Sequence, residues 1–207
     1  MGLQFSCQNI RHMKKIFVAT IVVVVLLGGY FFLRTSQESI SNSMTIYSNQ
    51  ELGLEFDYEA GPNGYVLQEM DPAENTNGLL KTLVLIQTED QKTLEENGAP
   101  VGGEGPATIT INVFSNLKER HPSVWAMENI SYSNYNLKVS DETEEVVGGA
   151  NAVRYMADGL YSSENFVIAH GGLIYVFTGM YIDENSDLRK DFSPLVESVK
   201  FIPTSNI

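Results

Sequence analysis

The chain has 207 residues, with 13 Lys+Arg against 26 Asp+Glu, one cysteine and three histidines. That length suits one ordinary domain plus an accessory segment, and a 43% hydrophobic fraction excludes a wholly disordered chain. A formal charge of -13 argues against a nucleic-acid-binding surface, and a single cysteine excludes an intramolecular disulfide or a Cys-clustered metal site.

The charge is unevenly placed. Residues 1–34 contain Arg11, Lys14, Lys15 and Arg34 and no acid, whereas the rest of the chain carries 9 Lys+Arg and 26 Asp+Glu, a charge of -17. Two regions in different surroundings are expected from such asymmetry. Between Lys15 and Arg34 runs IFVATIVVVVLLGGYFFL, residues 16–33, without a charge. As a helix it would reach about 27 Å, close to the ~30 Å hydrocarbon core of a bilayer. Thirteen of its 18 residues are Leu, Ile, Val or Phe, which favours insertion by at most about 4–8 kcal/mol. A transmembrane helix is therefore predicted over 16–33, with 1–15 as a short basic cytoplasmic N-terminus. The positive flank precedes the span, so the positive-inside rule places residues 35–207 outside the cytoplasm.

A cleaved signal peptide is the main alternative. Its apolar region is shorter, about 7–15 residues, and ends in a small-x-small site, whereas this run ends GGYFFLR, so an uncleaved anchor is favoured. No cysteine follows the run for lipoprotein attachment, and it lacks the early glutamate of a type IV pilin. The opening MGLQFS fits the myristoylation pattern, with Cys7 beside it as a palmitoyl acceptor. Met13, however, begins MKKIFVATIVVVV, a complete bacterial export signal in form. Translation from Met13 is the simpler reading, and the sequence leaves both starts open.

TSQESISNS after Arg34 reads as a polar tether over 34–44. Strands are expected at about 44–48, 53–58, 64–69, 79–87 and 107–114. In the second, Leu54, Phe56 and Tyr58 share a face. In the last, Ile109, Ile111 and Val113 alternate with Thr108, Thr110 and Asn112, a sheet with one dry and one wet face. A helix is predicted after Pro122, carrying Val124, Trp125 and Met127. Two hairpins follow, turning at Gly148-Gly149 and Gly171-Gly172, since Gly-Gly supplies the positive φ angles of a tight turn. From the second, Phe166, Ile168, Leu173, Tyr175 and Phe177 can feed a core. At the end, Leu188, Phe192, Leu195, Val196 and Val199 form one helical face. Pro194 inside that pattern predicts a kink or a second short helix capped by Ser193. The fold class is α+β: a mainly antiparallel sheet packed by one or two helices on a face. Roughly 160 residues are enough for it to be stable without disulfides or metals.

YSNQELGLEFDYEAGPNGYVL, VVGGANAVRY, and HGGLIYVFTG followed by DFSPLVESVKFI together resemble PsbP-like (Mog1/PsbP-type) domains of exported bacterial proteins. The first phrase is similar to the family's Tyr-x-Asn … Gly-Phe-x-Phe-x-Tyr-Pro entry; Leu54 stands where the family prefers Phe, and Glu59-Ala60-Gly61 intervene before Pro62. The resemblance covers about 45–203 and implies the fold of photosystem subunits and assembly factors. Its motifs carry no catalytic residue to transfer.

Chemistry is sparse elsewhere. Cys7 and His12 precede the predicted span. His170 lies in a hairpin turn, and His121 precedes Pro122 as a helix-entry residue; neither has a nucleophile motif beside it. Asp183-Glu184-Asn185-Ser186-Asp187 begins like an EF-hand loop, but Leu188 replaces the required Gly and Pro194 stands where Glu should be. Acids at the start of the closing helix explain it more simply. Asp141-Glu142-Thr143-Glu144-Glu145 reads as a solvated loop entering a hairpin. ENGAPVGGEGPAT (96–108) lacks Gly-Lys-Ser/Thr and leads into a strand, so it reads as a long flexible loop rather than a phosphate cradle. Asn129-Ile130-Ser131 is a glycosylation sequon, meaningful only in a eukaryotic secretory pathway.

The expectation is a non-enzymatic, membrane-anchored domain, without catalytic, cofactor or metal residues, that binds or scaffolds a protein or cell-envelope partner. An extracytoplasmic metal-ion or small-ligand sensor or chaperone using 141–145 and 183–187 is the alternative, and an envelope hydrolase a distant third.

Overall fold

The computed structural model describes residues 42–73, 78–98 and 104–204. The predicted cytoplasmic segment, membrane span and most of the tether lie outside the described residues, as do Cys7 and His12. Among the described residues no helix is long and apolar enough to cross a membrane.

The unit Ser41–Ile207 is built on one sheet. Its strands are β1 (Ser43–Asn49), β2 (Leu54–Ala60), β3 (Tyr65–Met70), β4 (Leu79–Gln87), β5 (Ile109–Ser115), β6 (Thr143–Val147), β7 (Ala150–Asp158), β8 (Ser162–His170), β9 (Leu173–Tyr181) and β10 (Lys200–Phe201). Helices α1 (Thr88–Asn97), α2 (Pro122–Glu128), α3 (Ile130–Ser133) and α4 (Asp187–Glu197) connect or cover them. The strand order is β1-β2-β3-β4-β5-β9-β8-β7-β6, with β10 pairing β2. Every pairing is antiparallel except a one-residue parallel contact of Ala60 with Tyr65. The molecule is therefore a sheet-dominated α+β domain with few helices.

Both Gly-Gly hairpins form with the expected turns. Gly148 and Gly149 have φ of 58° and 83°, the pattern of a two-residue I′ turn. Space as well as backbone requires glycine at Gly148, because a Cβ there would lie 2.9 Å from the Val199 carbonyl oxygen.

Two cores lie on opposite faces of the sheet. The first gathers Leu54, Phe56, Ile109, Ile111, Phe166, Ile168 and Tyr175 under α4, whose Leu188, Phe192, Leu195 and Val196 all point into it. The second packs Phe114, Val153, Tyr155, Val167, Ile174 and Val176 against Trp125 and Ala126 of α2. The expectation of helices on one face is thus corrected: α4 covers one side and α2 the other. β5 shows why. Ile109, Ile111 and Val113 are fully buried as predicted, but Phe114 on the other face is buried too, packed tilted against Trp125 at 4.8 Å and edge-on to Tyr132 at 4.9 Å. Aromatic pairs at such spacing add to simple area burial.

The second short helix expected at Pro194 does not form in α4. Helix α4 runs without a break through Pro194, and its N-cap is Ser186, whose Oγ accepts from the Arg189 N–H at 3.3 Å, not Ser193. Proline removes one helical hydrogen bond, and the apolar residues around it, Phe192, Leu195 and Val196, hold the helix onto the sheet regardless. Helix α1 has no buried residue and so no apolar stripe by which to foresee it. It starts where the Thr88 N–H and Oγ donate to the Gly64 and Gly61 carbonyls, with Glu89 and Asp90 in its first turn.

Candidate functional site

Of the residues singled out in the sequence, His121 and the acids Glu144 and Glu145 come to one concavity beside β6, and the others lie apart. His121 caps α2, its Nδ1 accepting from the Ser123 N–H at 3.4 Å, as expected of a helix-entry residue. His170 ends β8 and stacks on Phe201 of β10 at 4.3 Å, on the α4 side of the sheet. Asp183 Oδ1 accepts from the Asn185 N–H at 2.8 Å, and the Ser186 N–H donates to the Asp183 carbonyl, so 183–186 form a turn into the α4 cap. Glu184 and Asp187 lie 3.6 and 3.2 Å from Arg189 and Lys190. Among the described residues no group of three or more His, Cys, Asp or Glu side chains is placed to hold a metal ion. The Asn129 amide of the sequon donates to the Trp125 carbonyl at 2.9 Å and closes α2. Of the 96–108 loop, residues 99–103 lie outside the described residues, and the Gly105 carbonyl accepts from the Tyr161 hydroxyl at 2.5 Å.

Glu142 is not the solvated loop residue expected. Its carboxylate accepts from Ser123 Oγ at 2.6 Å, from Lys138 Nζ at 3.1 Å and from the Tyr135 hydroxyl. Burial pushes the carboxyl up, but the hydrogen bonds from Ser123, Tyr135 and Lys138 outweigh it and hold the group below the usual carboxylate range. The same bond raises Tyr135, whose ring packs edge-on to Tyr155 at 5.5 Å. The Ser123–Glu142 contact ties α2 to the entry of β6.

A second ionic group was not singled out in the sequence. Glu164 on β8 is fully buried, and its carboxylate is bound by Arg154 of β7 at 2.5 Å and by Arg189 of α4. The guanidinium of Arg154 lies 5.7 Å from the Phe166 ring centre and that of Arg189 5.2 Å from Tyr181. The one available signal was Glu164 preceding Phe166 by two in a strand, on the same buried face.

Among the described residues, surface concavities include the following four. One of about 380 Å³ lies beside the 115–120 loop, lined by Ser115, Asn116, Lys118, Arg120 and Trp125; Arg120 is ion-paired with Glu128. A small one, about 90 Å³, lies between β2, β3 and α4, where the Tyr65 hydroxyl donates to Asp191 at 2.9 Å. Two more flank β6. On the α2 side one of about 500 Å³ is lined by His121, Glu144, Glu145, Val146 and Asn151. On the α4 side one of about 270 Å³ is lined by Glu145, Val147, Arg154, Phe166, Val196 and Glu197.

The geometry defines a folded α+β domain with several surface concavities and two structural ion clusters. Its fold is PsbP-like: the structure superposes on the solution structure of cyanobacterial PsbP (CyanoP) from Synechocystis sp. PCC 6803 with a TM-score of 0.51 and 13% identity, covering 77% of this chain and 92% of that one. At that identity the likeness is one of fold. No family model and no curated protein matches the sequence.

Proposed function

We propose that this is a single-pass membrane protein, N-terminus cytoplasmic, that holds its PsbP-like domain outside the membrane as a non-enzymatic binding or scaffold module for a protein or cell-envelope component. The observation that carries the reading is the division of the chain at Arg34. An uncharged run of 18 residues with a basic flank precedes it, and all 26 acids follow it. An acidic domain is repelled by anionic headgroups, which favours holding it off the bilayer on its tether. It also attracts cationic partners.

Glu142 and Glu164 are each engaged by several protein donors, and such groups hold the fold together.

Protease added to intact cells tests the topology. Cleavage in the tether should release the folded domain into the medium while the 16–33 segment stays with the membrane. A domain protected until the cells are opened would overturn the orientation. Site-specific photo-crosslinking in intact membranes then tests the scaffold role, and the absence of any crosslinked product from probes spread over the domain surface would count against it.

A further inference from the structure

β6 is one end of the sheet order, so among the described residues one side of the strand has no neighbouring strand. Its pairing with β7 runs from Thr143–Arg154 to Val147–Ala150 across the two-residue turn. A two-residue hairpin closes on a hydrogen-bonded pair, so Thr143, Glu145 and Val147 bond inward, and the N–H and C=O of Glu144 and Val146 point outward. Val146 is 71% exposed. Such an edge is a template for another strand.

The two cavities beside β6 share Glu145 and Val146 and open on opposite faces of the same edge. That is the geometry an added strand requires, since its side chains alternate from one face to the other. The α2-side cavity carries Glu144 and Glu145; the α4-side cavity combines apolar Phe166, Val147 and Val196 with Glu145 and Glu197. Its one cation, Arg154, is already bound to Glu164.

We infer that the free edge of β6 is a docking site for an extended, basic segment of a partner polypeptide, which adds as a strand and places Lys or Arg side chains in the α2-side cavity and apolar or long-stemmed ones in the α4-side cavity. Charge selects this occupant over a second copy of the chain. Antiparallel pairing of two β6 strands centred on Glu144 and Glu145 sets glutamate against glutamate, which is destabilising. The inference rests on reading the domain as a binding module and names which surface binds and what chemistry it takes.

The test uses the full chain in zwitterionic detergent and a fluorescent peptide of about ten residues alternating Lys and Val. Saturable binding is expected, weakening with salt, with slowed amide exchange at Glu144 and Val146. Val146→Pro removes the outward N–H and leaves the β7 ladder intact, so affinity should fall roughly tenfold or more. Glu144→Lys with Glu145→Lys should exchange the preference for one for a Glu-Val peptide. A Lys-Val peptide N-methylated at its Lys residues, whose N–H groups face β6 when Lys enters the α2-side cavity, cannot pair in this register and should lose binding, whereas methylation at Val should not, a readout independent of whether any variant folds. Absence of saturable binding overturns the inference, as does self-association of the chain through β6. Binding indifferent to V146P and to N-methylation also overturns it, but leaves the binding-module reading standing; that reading fails separately, by the crosslinking.

Discussion

Phe192 of α4 lies directly on Gly179 of β9: a Cβ at position 179 would come within 2.4 Å of the ring's Cγ and 2.8 Å of both Cδ atoms. The contact seats the helix on the sheet. It explains why a glycine lies within a buried strand, since glycine in a strand marks a close approach of another element. Gly179→Ala is expected to destabilise by about 1–3 kcal/mol through overpacking, and Gly179→Ala with Phe192→Leu to recover part of that loss. Urea unfolding of the three proteins checks it. A G179A midpoint equal to wild type would show that the ring moves aside freely.

Glu164 supplies a larger effect. Removing a buried partner of an ion cluster costs about 3–5 kcal/mol. The Arg154 and Arg189 side chains are 40% and 20% exposed and can turn towards water, so Glu164→Ala belongs at the lower end of that range. Replacing all three charges with Leu at 164 and Met at 154 and 189 should restore stability to near the wild-type value. Thermal unfolding of the single and triple variants distinguishes a cluster that stabilises from one that is merely satisfied.

Acid should weaken the α2–β6 junction. Glu142 has its carboxyl held below the ordinary range in the folded state. Its contribution is therefore fully present above the unfolded carboxylate pKa and is lost as pH falls through the lower folded value. Glu142→Gln should destabilise by about 1–3 kcal/mol at pH 7, and the difference from wild type should shrink steadily below about pH 4. A difference independent of pH would refute the charged role.

Asp191 works in the opposite direction. Burial raises its carboxyl, the Tyr65 hydroxyl partly offsets this, and the Glu59 and Asp187 charges add to the rise. The folded state binds its proton more readily than the unfolded chain, so the ionised group destabilises above the folded pKa and ceases to do so as pH falls below the unfolded one. Asp191→Asn keeps an acceptor for Tyr65 and should raise the denaturation midpoint at pH 7 but not at pH 3. Equal midpoints for the variant and wild type at pH 7 would contradict this.

The ion-sensor alternative has its own outcome. Saturation by a ligand at 100 times its dissociation constant adds about 2.7 kcal/mol, roughly 5–10 °C for a domain of this size. Unfolding scans of the full chain with Ca²⁺, Mn²⁺, Zn²⁺ and Mg²⁺ at matched ionic strength should show no such selective shift. A shift of that size with one ion alone would make 141–145 and 183–187 the first places to mutate.

Local pattern and global arrangement divide clearly in this protein. The strands, the Gly-Gly turns, the apolar face of α4 and the PsbP-like character were readable because each depends on residues close together in sequence: alternation, a turn's φ angles, a helical repeat. Helix α1 was not, since it buries nothing and so leaves no periodicity. Nor was its placement of α2 opposite α4, because a strand such as β5 shows that both faces are dry only once Trp125 is known to lie over Phe114. Glu142 read as part of a solvated loop and Glu164 carried no signal strong enough to single it out; tertiary contacts, with Ser123 and Tyr135 for one and Arg154 and Arg189 for the other, gave them partners. The free edge of β6 was equally hidden, because a strand's end position in a sheet is set by the order of all the others. The sequence by itself determined the uncharged run, the charge asymmetry and the local elements; tertiary packing decided which charges are buried and which edge is left open, because both depend on neighbours distant along the chain.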